Sequence, residues 1–155
     1  MRPHPCIICN IIAAIFAIVV AGPITWWAID RTPALVFEAD GVPVPNPAMI
    51  GKELDLQRGV IVLKEGCDIW YNREIMDSTG FVWSFPVTLS TYSGMAPGFH
   101  KTHSSNAFVV PLGAAAGPAV TTSNIWSSCN PLQKFFPVHY RTPPIDFTIE
   151  RPPIS

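Results

Sequence analysis

The chain has 155 residues, 48% of them hydrophobic and only 14% charged, and it carries 17 prolines. Interior proline removes a helix hydrogen bond and clashes with the preceding turn, so a mainly helical protein is excluded. Ten basic against eleven acidic side chains leave a formal charge of -1. That balance has neither the basic excess of a nucleic-acid binder nor the acidic excess of a disordered tail, and no nucleic-acid partner is expected.

The apolar residues gather at one end. From Cys6 to Ile29 the chain reads CIICNIIAAIFAIVVAGPITWWAI, without a single charge. As a helix this segment is roughly 36 Å long, enough for a hydrocarbon core of about 30 Å. Trp26 and Trp27, at its far end, are the candidate membrane-interface residues, because amphipathic rings favour the headgroup layer. Pro23 is expected to kink or end the helix, which a membrane span tolerates. Arg2 precedes the span and Arg31 follows it, so the positive-inside bias is modest and favours a cytoplasmic N-terminus. The expected division is a cytoplasmic start at 1–5, a transmembrane signal-anchor helix at 6–29 partnered by the lipid bilayer, and a periplasmic or extracellular domain at 30–155. A cleaved signal peptide is the competing reading, with Val19-Val20-Ala21 as its small-residue site and a secreted product beginning at Gly22. The apolar run continues past that site to the tryptophan pair, which favours the anchor. Cys6 and Cys9 lie inside the span, where they read as small apolar residues.

Beyond Asp30, proline and glycine cut the chain into short runs rich in Val, Ile, Phe, Thr and Trp. The predicted strands are 34–39, 59–64, 68–76, 81–85, 107–110, 119–126 and 145–149. Asp77-Ser-Thr-Gly80 supplies turn chemistry between the third and fourth, and Phe81, Trp83 and Phe85 alternate on one side of the fourth. The three prolines at 43, 45 and 47 suit an extended edge or a loop. About seven short strands with turns between them, and no helix after the anchor, indicate an all-β ectodomain built as a β-sandwich; a small barrel is the alternative.

A resemblance adds to this. Phe108-Val-Val-Pro-Leu-Gly-Ala-Ala-Ala-Gly-Pro-Ala-Val120 resembles the passage from strand through proline and small residues to the next strand in bacterial immunoglobulin-like domains. With Gly66-Cys67, the Asp77–Gly80 turn, Cys129-Asn-Pro-Leu132 and Pro143-Pro-Ile-Asp-Phe-Thr-Ile149, the chain is similar to membrane-anchored proteins of tailed bacteriophages and prophages over most of residues 33–150. The resemblance implies an immunoglobulin-like β-sandwich and a phage-related origin rather than an activity. It departs from antibody-type domains at Ser127, which stands two residues before Cys129 where a corner tyrosine is expected.

Few residues carry reactive chemistry. Cys67 and Cys129 are the cysteines beyond the span, and an oxidising compartment makes them the disulfide candidate. His100 and His103, spaced H-x-x-H, are the weak metal candidates, since a closed site needs three or four ligands. There is no G-x-S-x-G and no glycine-rich phosphate loop, so neither a cofactor nor an enzymatic activity is expected. Phe135 and Phe136 lie in Pro131-Leu-Gln-Lys-Phe-Phe-Pro137 without strand patterning, and they are the partner-contact candidates. The functional expectation is a non-enzymatic, single-pass envelope protein presenting its domain to an envelope or virion protein. The alternatives are a small holin-like, lysis-associated protein and an envelope metal-binding protein.

Overall fold

The computed structural model describes residues 7–38, 40–104 and 107–153, with the side chains of 7, 8 and 102–104 set aside. The expected N-terminal segment 1–5, Cys6 and the side chain of His103 therefore lie outside the described residues. The protein is mostly β, with one apolar helix before the sheets.

That helix is built in three pieces: α1 (Ile7–Phe16), a wide π-type stretch (Ala17–Ala21) and α2 (Gly22–Ile29). Pro23 does not end it. The proline ring collides with the carbonyl four residues earlier, and the widened turn just ahead of it absorbs that collision. Thr25 donates its hydroxyl to the Ala21 carbonyl at 2.8 Å, so the one hydroxyl of α2 is satisfied within the helix.

Among the described residues twelve strands follow: β1 (Leu35–Phe37), β2 (Val42–Val44), β3 (Ala48–Met49), β4 (Glu53–Val62), β5 (Asp68–Met76), β6 (Val82–Ser84), β7 (Thr88–Leu89), β8 (His100–Ser104), β9 (Ala107–Val109), β10 (Gly117–Ser128), β11 (Val138–Arg141) and β12 (Ile145–Glu150). They form two open sheets rather than a barrel. In the first, β1 and β2 run in line along one edge of β4, while β8 and β9 run along the other. In the second, β5 pairs with β10 over its whole length, from Asp68 opposite Ser128 to Met76 opposite Val120. β12 and β11 share the far edge of β10, β6 and β7 share the outer edge of β5, and β3 adds a short parallel pairing to β12. The twelve segments thus fall into seven rows plus β3. The predicted count of about seven matches the rows, because proline and bulges break several rows into two strands.

Period-two alternation decides what lies between the sheets. Leu54 and Leu56 of β4, Ile75 of β5, Ala119 of β10 and Phe147 of β12 form one apolar cluster. Leu35, Val60, Val62, Cys67, Ile69 and Ile125 form a second. Each cluster draws on both sheets, so the sheets pack face to face. Trp83 and Phe85 pack against the first cluster, whereas Phe81 is 57% exposed and makes a T-shaped contact with Trp83.

Asp77 fastens the turn after β5. Its Oδ1 accepts from the Thr79 hydroxyl at 2.6 Å and the Thr79 amide at 3.0 Å. Its Oδ2 accepts from Trp83 Nε1 and the Ala115 amide, both at 3.1 Å, which ties the hairpin to the turn before β10. These bonds, the Thr79 hydroxyl foremost, hold the carboxyl far below its ordinary value of 3.8. A carboxylate whose folded pKa is depressed contributes stability above its unfolded pKa and loses it as pH falls toward the folded value. Urea unfolding is therefore expected to show stability declining below about pH 4, with Asp77→Asn flattening that decline. A wild-type acid limb that Asp77→Asn leaves unchanged would contradict this role.

Candidate functional site

The inward positions of β4 read Leu54, Leu56, Arg58, Val60, Val62, and those of β5 read Ile69, Tyr71, Arg73, Ile75. Each of these strands thus points one arginine between the sheets, at the seam of the two apolar clusters. Arg58 and Arg73 are only 7% and 6% exposed. They line a cavity of about 170 Å³ whose other walls include Leu56, Ile125 and Ile145, and which reaches the exposed Thr88, Leu89 and Thr91.

Each cation is partly accommodated. Arg58 Nη2 donates to the Pro143 carbonyl at 2.8 Å, and its guanidinium lies 5.8 Å from the centre of the Phe37 ring. Its Nε is buried and has no hydrogen-bond partner. The Arg73 guanidinium sits over the Phe108 ring at 4.3 Å, a cation–π distance. Burial pushes Arg73 down to about 10, while Tyr71 and Asp55 act in the opposite sense. Burial also lowers Arg58, with Tyr140 acting against it. Arg73 therefore has a carboxylate acting on it, whereas Tyr140 is what offsets the burial of Arg58. None of the described residues lining the cavity is an Asp or Glu.

The residues singled out from the sequence lie elsewhere. Cys67 and Cys129 are joined by a disulfide, with Cα atoms 4.1 Å apart. They flank the last pair of the β5–β10 ladder, so the bridge lies within one sheet. Antibody-type domains place theirs between sheets. His100 Nε2 lies 3.1 Å from Glu38 Oε1, both side chains being about half exposed. The Glu38 side chain lies where a side chain at Gly59 would stand, so glycine is needed there for it to cross β4. Among the described residues no three potential metal ligands gather.

Trp27, Arg31, Leu132 and Phe136 line a second hollow, at the junction of α2 with the 3-10 turn Leu132–Lys134. Gln133, almost fully buried, joins the two parts: its Nε2 donates to the Asp30 carbonyl and its Oε1 accepts from the Cys129 amide, each at 2.8 Å. Lys64 bonds Asp30 at 2.6 Å from the other side. Trp26, Phe135 and Phe136 remain 73%, 79% and 62% exposed around this junction.

Sequence reasoning missed Arg58 and Arg73 as a pair. A β4 strand beginning at Gly59 leaves Arg58 in a loop; extending the alternation back to Leu54 would have turned it inward.

The class these features define is a mostly β protein of two open sheets behind one apolar N-terminal helix. No family model matches the chain, and no curated protein does. Among solved structures it is similar to the alkylpurine DNA glycosylase AlkC of Pseudomonas fluorescens, bound to DNA containing an abasic site analogue. The TM-score is 0.48 and the identity 10%, over 76% of this chain and 30% of that one. This chain thus spans less than a third of that enzyme. That similar structure is an enzyme, which runs against the sequence-based expectation of a non-enzymatic protein, and that expectation is carried no further. A likeness of that degree carries no glycosylase or DNA-binding argument to this chain.

Proposed function

We propose that the chain is a single-pass membrane protein. Its N-terminus is cytoplasmic, and its two-sheet domain is held outside in an immunoglobulin-like arrangement to engage an envelope or virion protein. The observation that carries this reading is the helix Cys9–Ile29, 21 residues of mean hydropathy 2.1, of which the most apolar stretch has no buried residue. Soluble monomers rarely leave so continuous an apolar surface in water. The exposed Trp26, Phe135 and Phe136 support it further, since they ring the end of the helix where an interfacial belt would lie.

The row order supports the immunoglobulin-like reading. Counted along the chain, rows 1-2-5 face rows 7-6-3-4, the constant-type arrangement with its fourth strand moved to the other sheet. A phage or prophage origin rests on the turn resemblance and belongs to the same reading.

Alkaline washing of membranes tests the anchor. The full chain is expected to stay in the pellet, and the chain lacking residues 6–29 to move to the soluble fraction. Release of the full chain by the wash would overturn the reading.

A further inference from the structure

We propose that the cavity between the sheets binds a small organic carboxylate, its apolar body among the aliphatic walls and its anionic end on Arg58. The inference goes beyond the anchoring role and holds whether or not the helix resides in a bilayer. It starts from Arg58, more than nine-tenths buried and lining the cavity, with Nη2 committed to the Pro143 carbonyl and no Asp or Glu among the described lining residues. A buried cation without a counter-charge beside it costs free energy, so the retention of Arg58 between two apolar clusters calls for an anion.

The surroundings say what kind of acceptor fits. Arg73 lies close enough for the two cations to repel, and no lining residue supplies a carboxylate to Arg58. A single negative charge in the cavity would relieve that repulsion. Arginine takes a carboxylate with particular ease, because its planar fork matches the two oxygens.

The rest of the wall argues against a bare inorganic anion. Leu35, Leu56, Ile69, Ile125 and Ile145 present aliphatic surface, against which a fully hydrated ion gains nothing. The volume of about 170 Å³ matches a body of roughly benzene size, since an apolar cavity of about 150 Å³ holds benzene. A peptide strand is disfavoured by position, because the cavity lies between the sheets rather than along an open edge.

Titration of the full chain in a nonionic detergent tests this, with benzoate, benzyl alcohol and inorganic phosphate as probes. Benzoate is expected to bind saturably, with benzyl alcohol and phosphate each at least tenfold weaker. Arg58→Met is expected to lower benzoate affinity at least tenfold and to remove the preference for benzoate over benzyl alcohol. Absence of saturable benzoate binding to the native chain, equal binding of either other probe, or full retention by Arg58→Met would each overturn the proposal. Should that variant fail to fold, the comparison of the three probes on the native chain decides alone.

Discussion

Replacing Cys67 with serine is expected to lower the unfolding free energy by about 4 kcal/mol, the loop-closure value for a bridge between residues 62 apart. For a domain of this size that is roughly 15 °C in Tm. The effect is large because the bridge restrains most of the chain between β5 and the end of β10 while it is unfolded. In the folded state the Cys67 sulfur also belongs to the second apolar cluster, beside Ile69 and Ile125. Serine there loses apolar contact as well as the cross-link. Urea unfolding of the full chain, followed by near-ultraviolet circular dichroism, checks this. A loss below about 1 kcal/mol would mean that the bridge contributes little to the native protein.

Arg58→Met is expected to act in the opposite direction, raising stability by about 2 kcal/mol in the absence of ligand. Methionine has a similar length and no charge to desolvate, and it removes the unpartnered Nε. The bond to the Pro143 carbonyl is lost in exchange, which limits the gain. The same unfolding experiment reads it. Destabilisation of similar size would show that the guanidinium holds the sheets together. A stabilising loss of charge would mark Arg58 as a residue kept for binding at the expense of stability, a trade common at functional sites.

The sheets were legible where alternation is uninterrupted. Asp68–Met76 is a strand with the expected bounds, and Ile145 to Ile149 is paired throughout. Gly59–Lys64 caught only the apolar end of β4, because Glu53, Asp55, Gln57 and Arg58 disguise a strand whose alternate positions Leu54 and Leu56 are buried. β8 was missed because His100, Lys101 and Thr102 look like loop polarity, yet the open edge of β4 supplies their backbone partners. β2, which contains Pro43, takes the extended edge that its prolines suit, whereas β11 follows Pro137 and is fixed by its long-range pairing with β10.

The site was less legible than the sheets. A charge on a strand is ordinarily on its wet face, and nothing local shows that Arg58 and Arg73 point toward each other from different sheets. Only the joint register of β4 and β5 places them together. Trp26, Trp27, Phe135 and Phe136 were readable singly, as aromatics at the end of a span and in an unpatterned loop. Their neighbourhood comes from the Gln133 bridge to Asp30, which links positions too distant in sequence for any pattern to connect.

The proposed anchoring requires that the apolar helix remain part of the protein. The intact mass of the protein recovered from alkaline-washed membranes tests this most directly. A species that retains the helix is expected, at about the 17.0 kDa of the chain. A mature protein beginning at Gly22 and recovered in the soluble fraction would contradict it.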